Sequence, residues 1–522
     1  MKITRILLLP FFYFCTIFQY AQCQTSPDQI NFVRKGVKRL IFEPDQSISL
    51  ARINPSKIIG LSVMHPIKHH TANSSNINIS KGELIVESTS NTQTSIWLGG
   101  MNPFATYSMD ISSTRGEGAV GFEFNNPTRG TQFIVSIEFQ NKQIIGARLK
   151  VIKDSKLMTD QSIVTNIEET INPEGRLILQ MLGSGFVLYH QKEGLPIAIA
   201  QNDFNKYLDL REKKYIHSLQ ASIYIGLNNA KIHIKKVEAA LTTGIGLADI
   251  RAITYENGDP YLDQDRLWYT MSIRGRALPH HIQGVFSMNP SVFDVKLEGI
   301  ILFDRNDGLL RNEIASHIYF DRNEKIWRGL TTGFSAFANP KKEKKQLLAI
   351  ESKKDPRFGF SVMKAEPFGM IGDIEDPHIL FDEAVGKWRM LTCENQTSGY
   401  KAVVLESKNW NKGYTKIAGP VAHNSTGTSI QKIGGQRFCF SGSSEREIFI
   451  YSYPDLKEVG TLKMDLPPWD DSSRTRVWPN VVQLPEGYPF RYVALMMDRF
   501  NYPGLKGPHW TYGGIYLYHG SE

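Results

Sequence analysis

A motif that recurs at an interval of 61 residues constrains the fold of this 522-residue chain more than any other feature. Segments 315–328 and 376–389 share His, Ile, Phe, Asp, Trp and Arg at matching positions. Each copy predicts a strand, a tight polar turn and a second strand. Aromatic residues at 268, 438 and 492 extend the pattern to five copies of roughly 50–60 residues. This is typical of four-stranded blades, so we expect a five-bladed β-propeller.

A propeller restricts where chemistry can occur. The loops before the first strand and after the second strand of every blade converge on one face, the mouth, whereas the hairpin turns lie on the opposite face. The chain ends after one strand beyond residue 492, so the fifth blade has only three predicted strands. We expect its exposed edge to be covered by the N-terminal region, either residues 37–43 or the segment 236–242.

The chain before the repeats divides into three parts. Residues 1–23 have the positive start, apolar stretch and small residues of a signal peptide, with a lipoprotein as the alternative. Residues 24–75 form a lead-in segment. Residues 76–240 contain short alternating strands that predict a β-sandwich, and residues 241–522 form the propeller. The sandwich resembles laminin-G or concanavalin-like jelly rolls in its pattern. This implies either a glycan-binding domain or a support for the propeller.

Charge and composition exclude several classes of protein. The composition is that of a globular protein, with mean hydropathy −0.27 and four cysteines, too few for a disulfide scaffold. Removal of the signal reduces the net charge from +8 to about +6 and leaves Cys393 and Cys439, either paired or as buried thiols. The one basic run, 341–345, contains a glutamate and is interpreted as a solvated loop, so no nucleic-acid partner is expected. No later segment is apolar enough for a transmembrane anchor.

Carboxylates and basic side chains cluster at the predicted mouth. Asp249 precedes the first inner strand, Glu313 the second, and Glu375 and Asp376 the third. Convergent carboxylates in a concave site are suited to acid–base chemistry. For each of them, capping a loop or pairing with an arginine is the alternative. The candidate substrate-binding residues at the mouth are Arg251, Arg274, Arg276, His280, His317, His378, Arg476, Trp478 and Asn480.

Two short motifs resemble the five-bladed propeller glycoside hydrolases of families 43, 32, 62 and 117. Ala248-Asp249-Ile250 is similar to the Ala-Asp-Pro motif that carries the base or nucleophile. Glu375-Asp376-Pro377-His378 is similar to the Glu-Gly-Pro-His motif that carries the acid. The second blade has Ala315-Ser316 where the family has the Asp that tunes the acid, so Glu313 is a candidate substitute. The architecture also resembles family 143, which acts on pectic rhamnogalacturonan.

The resemblance implies a secreted, periplasmic or cell-surface hydrolase of plant or algal glycans. One carboxylic acid protonates the leaving oxygen while a carboxylate activates water or attacks carbon. The arginines at the mouth favour an acidic sugar, since arginine binds carboxylates in a bidentate manner. A polysaccharide lyase that uses His or Tyr as base and a non-catalytic glycan-binding propeller are the alternatives. His317 and His378 have the same repeat position and serve either blade packing or sugar contact.

No cofactor is expected, because no zinc-type spacing of His or Cys is present, although a structural calcium ion in the propeller is compatible with the sequence. The expected partner is an oligosaccharide or polysaccharide, and the oligomeric state is not predicted. If the hydrolase hypothesis is correct, Asp249 and Glu375 face one cavity, with their carboxyl groups about 5–10 Å apart.

Overall fold

The computed structural model describes residues 25–57, 75–126, 128, 130–164, 171–470, 477–506 and 513–521. The expected signal peptide and the candidate Arg476 lie outside the described residues. Strands are by far the most common regular structure of the described residues, as predicted for an all-β chain. One α-helical turn, α1 (Lys213–Ile216), and four 3₁₀ turns (Pro27–Gln29, Pro44–Gln46, Pro55–Lys57 and Phe334–Ala338) are the helical elements of the described residues.

The described residues form 36 strands. The first thirteen are β1 (Asn31–Arg39), β2 (Ile48–Ile53), β3 (Asn76–Ser80), β4 (Glu83–Ser88), β5 (Thr92–Gly100), β6 (Thr106–Asn126), β7 (Thr131–Gln140), β8 (Gln143–Lys153), β9 (Lys156–Ser162), β10 (Gly175–Met181), β11 (Gly185–Gln191), β12 (Ile197–Asp203) and β13 (Gln220–Leu241). The others are β14 (Leu247–Ala252), β15 (Thr254–Tyr255), β16 (Leu262–Asp263), β17 (Arg266–Ile273), β18 (Ile282–Met288), β19 (Lys296–Asp304), β20 (Leu310–Arg311), β21 (Ile314–Asp321), β22 (Ile326–Thr332), β23 (Gln346–Ser352), β24 (Gly359–Ile371), β25 (Ile374–Asp382), β26 (Lys387–Gln396), β27 (Gly399–Ser407), β28 (Thr415–Ala418), β29 (Thr426–Ile433), β30 (Gln436–Gly442), β31 (Ile448–Ser452), β32 (Glu458–Thr461), β33 (Lys463–Met464), β34 (Val481–Gln483), β35 (Tyr492–Met497) and β36 (Gly514–Ser521).

Strands β2 to β13 form one twelve-stranded sheet around a single core. The long strands β6 and β13 pair along most of their length, and the two halves of β6 pair with different neighbours, β10 and β7. Alternating apolar residues such as Val120, Phe122 and Phe124 point into the core between the halves. This arrangement is consistent with the predicted sandwich.

The rest of the chain forms four-stranded groups arranged around a ring, which we call blades 1 to 5. Blades 1 and 2 contain β14, β17, β18, β19 and β21, β22, β23, β24, and their outer strands β19 and β24 pair in parallel. Blade 3 contains β25–β28, and blade 4 contains β29–β32. The inner strands β14, β21, β25, β29 and β34 contact one another in sequence, and β14 also contacts β35 of blade 5. The predicted propeller architecture is therefore observed.

Blade 5 is completed by the N-terminal strand. Strand β1 pairs antiparallel with β36, so the blade order is β34, β35, β36 and β1. The edge is thus covered by residues 31–39, which overlap the first expected segment, whereas 236–241 lie in β13 of the sandwich. Because β2 pairs with β13, the expected lead-in segment is divided between the two parts of the molecule.

A turn of blade 1 lies across the ring on the face opposite the mouth. Phe381 of blade 3 donates its N–H to the carbonyl of Glu256 at 2.6 Å, and Arg322 of blade 2 donates to the Glu256 carboxylate. Arg437 of blade 4 donates to the carbonyl of Asn257 at 3.2 Å. One turn therefore ties three other blades together at this end of the ring.

Candidate active site

Four inner strands begin with the same backbone feature. Residues Asp249, Ala315, Asp376 and Gly427 all have φ between +53° and +61°. The pairing register shifts at each of these positions, as in a β-bulge. Asp tolerates this left-handed conformation better than most residues with a side chain. A bulge redirects the side chain out of the usual alternation, and such features are frequent at active sites.

The bulge of blade 3 brings two carboxylates and a thiol together. Ligand atoms of Glu375, Asp376 and Cys393 lie within 4.8 Å of one another, although Glu375 and Asp376 are adjacent in sequence. Regular strand alternation would direct these two side chains to opposite faces, so the left-handed Asp376 accounts for their proximity. Asp376 interacts electrostatically with both Glu375 and Asp249. The sequence motifs placed Glu375 and Asp376 at the mouth, but they did not predict the bulge that brings these two side chains together.

Asp376 is held in a protonated state close to neutral pH. Burial, followed by the negative charges of Glu375 and Asp249, raises the pKa of Asp376 to about 7. Its carboxylate accepts a hydrogen bond of 2.8 Å from the Gly427 N–H, which lowers the pKa only in part. A carboxyl group that carries a proton at this pH is suited to act as an acid.

Asp249 has the opposite environment. Arg274 donates to Asp249 Oδ2 at 2.8 Å, and both side chains are nearly buried. Arg274 also contacts His281. The site therefore combines a carboxylate that is paired with an arginine with a second carboxyl group whose pKa is raised, and two carboxyl groups in different environments are what acid–base catalysis uses.

Glu375 belongs to a separate polar group that includes Lys345. Lys345 Nζ donates to Glu375 Oε2 at 2.8 Å and to the Tyr400 hydroxyl at 2.7 Å, and it also pairs with Asp373. Burial lowers the pKa of Lys345, but Glu375 and Asp373 more than offset this effect and raise it overall. Sequence analysis had treated Lys345 as part of a solvated loop, and this was wrong, because its side chain is 6% exposed.

Glu313, the fourth predicted carboxylate, does not join this group. It is fully buried, and its two oxygens accept hydrogen bonds from the N–H (2.8 Å) and hydroxyl (2.7 Å) of Ser335. Burial raises the pKa of Glu313. The residue therefore fixes the 3₁₀ turn that follows blade 2's second strand.

The ring axis beneath the carboxylates contains five of the predicted substrate-binding residues. Each follows a bulge or starts an inner strand and is buried: Arg251, His317, His378, Trp478 and Asn480. Arg251 donates to the carbonyls of Thr428 (2.6 Å) and Asp376 (2.9 Å), and its guanidinium lies over the Trp478 ring. These contacts explain the packing of the blades and leave little surface for a sugar.

The two histidines of this layer are stacked, with ring centroids 3.8 Å apart. Burial lowers the pKa of both His317 and His378 well below the usual value, so both are neutral. His317 Nδ1 accepts the Ile379 N–H at 3.2 Å, which leaves Nε2 as the donor to Thr254 Oγ1. Of the two roles considered for these histidines, blade packing and sugar contact, the geometry favours blade packing.

Arg276 and His280 lie at the junction with the sandwich. Arg276 and His280 contact the same carboxylate oxygen of Asp203, at 2.6 and 2.9 Å. Burial lowers the pKa of both Arg276 and His280. Asp203 is the last residue of β12, so this strand of the sandwich contacts the loop that begins at Arg274 and contains Arg276 and His280. The segment from Arg274, which contacts Asp249, to Arg276, which contacts Asp203, therefore connects the candidate site with the sandwich.

Cys393 and Cys439 are both buried and are not joined in a disulfide, so of the two alternatives the structure has buried thiols. Glu375, Asp376 and Cys393 are the group within the described ranges whose donor atoms are close enough to hold a metal ion. A thiol with two carboxylates does not match the all-oxygen ligand set of calcium. The absence of a cofactor therefore remains a prediction. No helix among the described residues is long and apolar enough to cross a membrane.

Comparison of the sequence with protein-family models and with curated proteins gives no match. Solved structures of similar architecture include a GH43_1 enzyme from Xanthomonas citri (11% identity, 54% of this chain, 89% of that chain, TM-score 0.36) and an alpha-L-arabinofuranosidase from Lactobacillus brevis (10%, 52%, 90%, 0.36). A third is Zg3597, a family 117 glycoside hydrolase from Zobellia galactanivorans (9%, 53%, 84%, 0.37). At these values, the roles of individual residues depend on the geometry of this chain alone.

Proposed function

We propose that this protein is a glycoside hydrolase that uses Asp249 as base or nucleophile and the Glu375–Asp376 pair as acid. The observation that supports this most strongly is the contrast between two neighbouring carboxyl groups. Asp249 is paired with Arg274, whereas Asp376 has a pKa of about 7. Cleavage of a glycosidic bond requires one protonated and one ionised carboxyl group on the two sides of the bond.

Ligand atoms of Glu375 and Asp376 lie within 4.8 Å of each other, and the charge of Glu375 contributes to the raised pKa of Asp376. Asp376 is nearly buried, whereas the Glu375 side chain is more accessible. In this proposal the pair holds one proton near neutral pH and transfers it to the leaving oxygen. Asp249 then activates water or attacks the anomeric carbon. The bulge at Asp376 fixes the geometry that this transfer requires.

The lyase alternative receives less support from the described residues. Tyr400 is the tyrosine closest to the carboxylates, but burial and the charges of Glu375 and Asp373 raise its pKa above the usual value, which disfavours it as a base. His280 is held between Asp203 and the Ala277 carbonyl. Neither residue is therefore prepared to remove a proton next to a uronate.

The acidic character of the glycan is a weaker part of the proposal. Arg274, Arg276 and Arg311 are paired with acids of the chain itself, and Arg251 donates to backbone carbonyls. These arginines are not available as predicted for substrate carboxylates. The pattern of residues 1–23, which lie outside the described ranges, leads us to propose export of the enzyme.

The experiment is a screen of plant and algal oligosaccharides, neutral and acidic, measured for new reducing ends and for unsaturated products. For the substrate found, Asp249→Asn, Asp376→Asn and Glu375→Gln are each expected to reduce kcat by about 10²–10⁴-fold. The control Glu313→Gln also removes a buried carboxylate but is expected to retain activity. Products with the ultraviolet absorbance of a conjugated double bond would identify a lyase. Full activity of Asp249→Asn would contradict the assignment.

A further inference from the structure

A polar group on the rim of blade 3 leads from solvent to the proposed acid. It contains Lys345, Asp373, Asn395 and Tyr400, which we call the Lys345 cluster. Asn395 Nδ2 donates to Asp373 Oδ2 at 2.5 Å, Tyr400 donates to the other oxygen of Asp373, and Lys345 connects both to Glu375. The Asp373 side chain is 47% exposed, whereas that of Lys345 is 6% exposed.

We propose that the Lys345 cluster is the subsite for the leaving-group sugar and that it selects an uncharged sugar with neighbouring hydroxyl groups. This inference rests on the proposed hydrolase function. It assigns a role to four residues that sequence analysis did not place among the candidate catalytic or substrate-binding residues. It also restricts the substrate at this position to a chemical class different from the acidic sugar that the arginines suggested.

The chemistry of the cluster matches sugar hydroxyls. Neighbouring hydroxyls present donors and acceptors in alternation, and the cluster supplies both: the Asp373 carboxylate, the Asn395 amide, the Lys345 ammonium and the Tyr400 hydroxyl. Lys345 Nζ lies 5.1 Å from the centre of the Tyr400 ring and 5.4 Å from that of Phe334. These contacts hold the Lys345 ammonium in place, so that it can offer a donor at a fixed position.

The charges of the cluster disfavour an anion. Lys345 is its one cation, and this cation already contacts two carboxylates, Asp373 and Glu375. Hydrogen bonds from Lys345, Tyr400 and Asn395 lower the pKa of Asp373 overall, despite its partial burial, so it stays ionised. A uronate carboxylate or a sulfate ester placed here would meet a like charge that Lys345 does not offset. An uncharged hydroxyl pair meets no such penalty.

The position of the cluster indicates the leaving-group side. The proposed base Asp249 belongs to blade 1 and is paired with Arg274. Lys345 contacts Glu375, which is a member of the proposed acid pair. Because the acid protonates the leaving oxygen, the sugar that departs occupies the side of the acid opposite to the base.

The test is binding of matched pairs of monosaccharides to the full chain, measured by saturation-transfer NMR: D-galactose with D-galacturonate, and D-glucose with D-glucuronate. We expect at least one neutral sugar to bind at least 10-fold more tightly than its uronate. Asn395→Ala and Lys345→Met are expected to reduce this binding at least 10-fold. The controls Gln396→Ala and Lys344→Met change exposed neighbours in the same segments and are expected to have no effect.

Tighter binding of both uronates, absence of binding by all four sugars, or equal binding by Asn395→Ala and Gln396→Ala would overturn the subsite. Asn395 is on the surface, so its substitution tests the proposal even if Lys345→Met fails to fold. The proposed function can fail separately. If no oligosaccharide is hydrolysed but Asn395→Ala still abolishes neutral-sugar binding, the hydrolase is rejected and the sugar site is retained. Hydrolysis that does not depend on Asn395 and Lys345 rejects the subsite alone.

Discussion

Asp376 links catalysis to stability, because the environment that raises its pKa also makes its ionised form costly. Its pKa is about 7 in the folded protein and about 4 in an unfolded chain. Between these values the folded state binds more protons than the unfolded state, so the free energy of unfolding decreases as pH rises from about 4 to about 7. Well above pH 7 Asp376 is ionised in both states, so its effect on the free energy of unfolding no longer changes with pH.

The change Asp376→Asn removes this cost and is expected to stabilise the protein at high pH while it abolishes activity. We expect the melting temperature of the variant to exceed that of the wild type by more at pH 8 than at pH 5, with an increase of about 2–4 °C for each kcal/mol. Thermal unfolding followed by circular dichroism at both pH values measures this. A difference that is constant with pH would show that Asp376 is ionised throughout.

Asp373 provides a control, because its effect on stability is expected to change with pH in the opposite direction. Its pKa is lowered in the folded state by Lys345, Tyr400 and Asn395, so it stabilises the fold above its unfolded pKa. That contribution is lost as pH falls through its folded pKa. The variant Asp373→Asn is therefore expected to be less stable than the wild type at pH 7, with a smaller difference at pH 3.

The repeated bulge is the feature of the inner strands that carries most information about the site. It places a residue with a left-handed backbone conformation near the start of the inner strand in four blades. Two of these residues are the acids Asp249 and Asp376. Blade 2 has Ala315 at this position, with φ of +56°, and lacks a functional reason for a side chain there. A left-handed residue other than glycine costs roughly 1–2 kcal/mol.

Ala315→Gly is consequently expected to stabilise the protein by up to about 1 kcal/mol, because the lost strain exceeds the added freedom of the unfolded chain. The reverse change in blade 4, Gly427→Ala, is expected to destabilise it, since the new Cβ would lie 2.7 Å from the Trp478 ring. Chemical denaturation of both variants measures these effects. Equal stability of Ala315→Gly and the wild type would mean that the bulge is unstrained in blade 2.

The strands and the positions of the three acids could be predicted from the sequence because both depend on residues that are close together in the chain. Repeated period-two segments and the acids directly before them are close together in the chain, so Asp249, Glu375 and Asp376 could be assigned to one face. The contact of Lys345 with Glu375 could not be predicted, because the two residues are 30 positions apart and their contact depends on how blades 2 and 3 pack together. The burial of Arg251 and His317 was equally hard to predict, because it depends on the register shift that the bulge introduces just before each of them.

At the scale of the whole molecule, the sandwich and propeller share one hydrophobic cluster. It includes Val187 and Tyr189 from the sandwich with Leu247, Tyr269 and Leu495 from blades 1 and 5. The chain passes between the two parts twice, since β1 belongs to blade 5 and β2 to the sandwich. The sandwich also contacts the loop of Arg276 and His280 through Asp203.

This shared cluster predicts that the two parts unfold together, in a single heat-absorption peak in differential scanning calorimetry. Tyr189 is buried in the cluster, with its ring 5.2 Å from that of Phe42 and 6.2 Å from that of Tyr502. Truncation of a large buried aromatic costs about 3–5 kcal/mol, so Tyr189→Ala is expected to lower and split the peak. The control Tyr207→Ala, half-buried against the sandwich core, should leave one peak. Two resolved peaks in the wild type would mean that the interface does not couple the parts, and that the sandwich does not determine the position of the Arg276 loop.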